Sequence, residues 1–137
     1  MSFRLPPSED ATPLLRTDYA REDRWRALLA AIARPTAEGF LANVSIVTDP
    51  VLDGLTDEQV RALPADESPM FVLVADATAQ ADDEFPILVV DTSGEDRPSF
   101  RVAGRCLWAV ENNLSLANMD WEEFANSVSP DGVYRDC

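Results

Sequence analysis

The sequence predicts a single α/β domain: about five strands in one mixed sheet, the first three parallel, packed with helices and closed by two C-terminal helices. Three observations predict it. Short apolar runs rich in Val, Ile and Leu alternate with helical stripes through the first half of the chain, the pattern of β-α-β units. A length of 137 residues fits one domain. A hydrophobic content of 46% is enough to build one core.

The elements follow in order. Residues 1–12 are polar and hold Pro6 and Pro7, so they are expected to be loose, leaving 13–137 as the domain. Leu14-Leu15-Arg16-Thr17 reads as a first strand ending at Asp18. Trp25, Leu28, Leu29 and Ile32 then recur at helical spacing, with Glu22 and Asp23 in the first turn and Pro35 as the stop. Val44-Ser45-Ile46-Val47 is a second strand, ending at Asp49-Pro50. Thr56 and Gln59 form a capping box for a short helix that buries Val60 and Leu63. Met70-Phe71-Val72-Leu73-Val74 is apolar throughout, as in a central strand covered on both faces, and ends at Asp76. Ile87-Leu88-Val89-Val90 follows and ends at Asp91. A turn through Ser93 and Gly94 leads to an antiparallel partner, Ser99-Phe100-Arg101-Val102. Leu107, Trp108, Val110 and Leu114 line one helix. Trp121, Phe124 and Val128 line another, with Asp120 and Glu123 as its capping signal. Short right-handed crossovers make the first three strands parallel.

Composition excludes more chemistry than it suggests. All eleven basic residues are Arg; the chain has neither Lys nor His. Schiff-base and P-loop lysines, Ser-His and Cys-His dyads and imidazole metal ligands are thereby absent. The five glycines are too dispersed for a phosphate-cradling loop. The net charge of −14 disfavours nucleic acid and anionic membranes and favours a basic protein partner. The surplus is uneven: seven Arg against twelve acids up to residue 70, four against thirteen beyond it. Cys106 and Cys137, in a chain whose first ten residues carry no apolar leader, are expected as reduced thiols of a cytoplasmic protein. Cys106, beside Arg105 near a helix start, is a place where a thiol pKa can fall.

Two constellations stand out. Asp18, Asp49, Asp76 and Asp91 each follow an apolar strand. Carboxylates gathered at the carboxyl ends of parallel strands would suit Mg²⁺ and a metal-dependent enzyme or small-molecule binder. Against this, Asp commonly ends strands because it starts turns and caps helices. The second constellation is the polar corner Glu111, Asn112, Asn113, Ser115, Asn118, Asp120, Glu122 and Glu123, which offers donors, acceptors and charge to a partner, or supplies the caps of a tight helix-helix turn.

The stretch from Trp108 through Asp120, the following Trp121-Glu122-Glu123-Phe124-Ala125 and the close Asp131-Gly132-Val133-Tyr134-Arg135 resemble an uncharacterised, largely actinobacterial family known only as a domain of unknown function. Leu15-Arg16-Thr17-Asp18-Tyr19, Val74-Ala75-Asp76 and Leu88-Val89-Val90-Asp91 also fit. The resemblance implies a family and no activity. On charge and exclusion, the expected function is an acidic protein-binding module, similar to immunity proteins, adaptors or inhibitors, that meets a basic partner through the corner.

Overall fold

A computed structural model describes residues 3–137. Six strands form one sheet: β1 (Thr12–Arg16), β2 (Val44–Val47), β3 (Phe71–Ala75), β4 (Ile87–Asp91), β5 (Phe100–Val102) and β6 (Val133–Tyr134), in the order β2-β1-β3-β4-β5-β6. Strand β1 pairs parallel with both β2 and β3, as their crossovers require. Strand β4 is antiparallel to β3 and to β5, and β6 adds parallel to β5. The sheet therefore has one strand and one parallel pairing more than the sequence suggests. Two residues in β6 carry no periodicity; Gly132, at φ +84°, turns the chain into its slot.

The helices are α1 (Glu22–Ile32), α2 (Asp57–Arg61), α3 (Ala77–Ala81), α4 (Leu107–Ser115) and α5 (Trp121–Ala125). Helix α3 is the one missing from the sequence reading, since Ala-Thr-Ala-Gln-Ala holds no apolar stripe. It forms because Asp76 accepts a hydrogen bond from the Ala79 amide and caps it.

Alternation along the strands divides the core between the two faces. Leu14, Phe71, Leu73, Ile87, Val89, Phe100 and Val102 pack against Trp25 and Leu28 of α1, Leu107 and Val110 of α4 and Phe124 of α5. Leu15, Val72, Val74 and Val90 face Val60 of α2, Leu52 and Leu5. The step from β1 to β2 moves outward and that from β2 to β3 moves back across β1. Right-handed connections then put α1 and α2 on opposite faces, as found. Strand β3 is buried along its whole length, as its unbroken apolar run predicts. The segment before β1 is engaged: Leu5 is buried, and its amide donates to the Pro64 carbonyl.

One expectation is overturned. Cys106 and Cys137 are not separate thiols but a disulfide. Strand β6 lies beside β5, which leads directly into Cys106, so the segment after β6 delivers Cys137 to the same place. No helix among the described residues is long and apolar enough to cross a membrane.

Candidate functional site

The sheet reverses its direction of winding between β1 and β3, and in open α/β sheets ligands bind outside the carboxyl ends of strands at such a point. Arg16, the last residue of β1, is buried there with only 5% of its surface exposed. Its guanidinium lies 4.4 Å from the Tyr19 ring centroid and 5.0 Å from that of Trp25. Its Nε donates to the Asp18 carbonyl and its Nη1 to Glu22. Gln80, fully buried on α3, donates from Nε2 to the same Asp18 carbonyl and to that of Ala75. Arg16 Nη2, Thr17 Oγ1 and Gln80 Oε1 are buried without a hydrogen-bond partner. Most buried polar atoms are paired, so three orphans on neighbouring residues mark this edge. Sequence reading passed over all three residues. The available signal was Arg16 itself, a charge inside an apolar strand.

Tyr19 closes the outer side of the edge. Its hydroxyl donates to the Asp49 carbonyl and accepts from the Asp49 amide. Burial pushes its pKa up, against the opposing effects of the Asp49 hydrogen bond and of Arg16.

The four strand-end aspartates are not gathered at one point. Asp18 accepts from the Ala20 amide, and Asp49 caps the 3-10 turn Pro50–Leu52 through the Val51 amide. Asp76 caps α3 and takes both terminal nitrogens of Arg101, at 3.0 and 2.7 Å. Asp91 sits at the opposite end of the sheet, because β4 runs the other way. There it accepts from the Ser93 amide and hydroxyl and from the Arg97 amide, and so shapes the β4–β5 connection. Burial raises its pKa, but these hydrogen bonds and the Arg97 charge outweigh that and hold it below 3.8. Among the described residues no three potential ligands from His, Cys, Asp and Glu gather around one point. The structure does not bring the four carboxylates together: each is engaged locally, and Asp91 lies at the far edge of the sheet.

The family of domains of unknown function DUF6924 matches residues 11–137, from the residue before β1 to the end of the chain. The chain belongs to this family. No curated protein and no solved structure matches it.

The matched span of this DUF6924 chain includes the polar corner at the end of α4, which the structure splits into a buried half and an open half. Glu111 is buried at 3% exposure. Its carboxylate accepts from Thr12 Oγ1 at 2.9 Å, the Asn43 amide at 2.7 Å, Ser115 Oγ at 2.7 Å and Asn112 Nδ2 at 3.1 Å. It therefore ties α4 to the starts of β1 and β2. Asn112 also donates to the Leu41 carbonyl, and Asn113 donates to the Ala109 carbonyl. Glu111, Asn112 and Asn113 thus hold the fold, and Ser115 is drawn toward Glu111. The open half is Asn118, Asp120, Glu122 and Glu123, all exposed, following Leu116 at 70% exposure. Asp120 precedes α5 as expected, but its side chain makes no capping hydrogen bond and stays free. Of the two tryptophans in the C-terminal third, Trp121 is a core anchor, with its indole N–H donating to the Pro98 carbonyl. Trp108 is half-buried against Phe40.

Proposed function

We propose that this domain is a recognition module whose acidic corner binds a basic protein, in the manner of an immunity protein, adaptor or inhibitor. One observation carries the reading. Asp120, Glu122 and Glu123 stand exposed beside Leu116, and among the described residues none of them has an Arg within ion-pair distance. Nine other acids of the chain are paired; here three unpaired carboxylates fall within four residues, a local concentration of charge that can attract a basic partner. An exposed apolar residue close in sequence to polar ones is compatible with an interface, whose centre is more apolar than its rim. The corner as a family hallmark and the actinobacterial range rest on the sequence resemblance.

The test is capture from a native lysate by the wild-type domain and by the triple variant Asp120→Asn, Glu122→Gln, Glu123→Gln. A basic protein retained at low salt, released at high salt and lost with the variant supports the reading. Equal capture by both sinks it.

A second reading, a small-molecule binder at the strand ends, is favoured by the orphaned polar atoms. Arg16 and Gln80 share the Asp18 carbonyl, and each keeps one buried atom without a partner, the donor Nη2 and the acceptor Oε1. A ligand with an amide or carboxylic acid group matches that pair. Such a ligand raises Tm by mass action. A panel of small amides and carboxylates that shifts Tm of neither wild type nor Gln80→Glu would dispose of it.

A further inference from the structure

The disulfide has surroundings that a passive cross-link does not require. Its two sulfurs are unequal: Cys106 is fully buried and Cys137 is exposed. Arg105 Nη1 lies 3.3 Å from Cys106 Sγ and 3.4 Å from Cys137 Sγ. Cys106 is the last residue of the 3-10 turn Gly104–Cys106 that leads into α4, and its side chain takes no hydrogen bond from the helix end. Cys137 lines a cleft of about 370 Å³ walled by Thr36, Glu38, Phe40, Arg105 and Trp108. Phe40 and Trp108 stack at 4.9 Å and form its apolar side. A wider cleft of about 640 Å³ shares Thr36 and Arg105 and adds Arg34. The acids on that wall, Asp83 and Glu84, are taken by Arg24 and Arg135, while Arg34 and Arg105 have no acidic partner among the described residues.

We propose that Cys106–Cys137 is an exchangeable disulfide, opened from this cleft by a low-molecular-weight thiol that attacks Cys137. The entering thiolate forms a new S–S bond to Cys137 Sγ, and the Cys106–Cys137 bond breaks. The electron pair leaves on Cys106 Sγ as a thiolate, which the Arg105 guanidinium stabilises; the proton of the entering thiol goes to solvent. A second thiolate attacking the mixed disulfide at the small-thiol sulfur frees Cys137 and releases the oxidised small thiol, so two thiols are oxidised as the protein disulfide is reduced. Direction follows from access, since Cys106 cannot be reached, and from the leaving group, since a stabilised thiolate departs faster. Arg105 thereby supports the leaving sulfur. Arg34 and Arg105 together favour a thiol that carries carboxylate.

The experiment incubates the full oxidised chain with glutathione, quenches aliquots into mildly acidic denaturant containing N-ethylmaleimide so that buried thiols are trapped, and maps the adducts by mass spectrometry over time. Glutathione should appear on Cys137 and the alkyl group on Cys106. Arg105→Gln should slow the first step by about three- to tenfold, through the poorer leaving group. Val110→Ala, which loosens the core under α4, should leave the rate unchanged, because attack occurs on the native state. Adducts appearing first on Cys106, a rate indifferent to Arg105, or a rate that rises with Val110→Ala in proportion to the unfolded population would each overturn the proposal. So would a chain that carries two free thiols after purification in air.

Discussion

Glu111 shows what one buried carboxylate does when no cation faces it. Its charge is dispersed over two hydroxyls, one amide of the chain and one Asn side chain, and three separate segments meet on it. Removing the acceptor strands those donors, which costs the desolvation of each rather than the net worth of a bond. Glu111→Ala should therefore lower unfolding stability by about 3 kcal/mol, read by urea titration. A loss under about 1 kcal/mol would contradict the clasp. Asp91 contributes to the pH dependence. Its folded pKa lies below the unfolded value, so its contribution is complete above 3.8 and is lost as pH falls through the folded value. Asp91→Asn should flatten the fall in Tm on acidification below pH 4 relative to wild type, measured by calorimetry across the acid range. Thr17 offers the opposite case. Its hydroxyl is buried and bonded to nothing, so Thr17→Val should hold stability or raise it by up to about 1 kcal/mol in the same urea titration.

At the scale of elements, two capping signals that look alike in sequence part company in the structure. Thr56 and Gln59 close both bonds of a capping box on α2. Asp120 and Glu123 occupy the same spacing at α5, yet neither side chain bonds the helix end. Thr56→Ala should cost about 1 kcal/mol and Asp120→Ala less than about 0.5 kcal/mol, compared by thermal melting. Equal losses would contradict the difference. The helix periodicity of α1, with Trp25, Leu28 and Ile32 buried, was legible because its stripe is long enough to exceed chance. Strand β6 and helix α3 were not, because two and five residues without a stripe hold no period. The first is determined by pairing with β5, the second by a cap and by burial of Ala79 and Gln80. The β4–β5 connection is likewise held from outside: Arg61 of α2 donates to Asp96, to the Arg97 carbonyl and to Ser99.

Over the whole molecule, the disulfide closes a span of 31 residues that takes in α4, α5 and β6. Chain entropy assigns such a closure about 3–4 kcal/mol. The double variant Cys106→Ser, Cys137→Ser should remain folded but melt lower, since β6 is also held by its pairing to β5; an unchanged Tm would show that the tail is fixed without the bond. The sequence by itself determined the class of the fold, the parallel arrangement of the first three strands, the covered central strand and the exclusion of lysine and imidazole chemistry. These follow from local periodicity and composition, which are present in any stretch of chain. Only the tertiary structure decided that Asp91 lies at the opposite end of the sheet from Asp18, Asp49 and Asp76, that Glu111 is a buried clasp while Glu122 and Glu123 stay open, and that Cys106 meets Cys137. Each of these depends on the direction of a strand or on a partner more than twenty residues away, or on which side of a helix meets solvent, and no short-range pattern encodes that information.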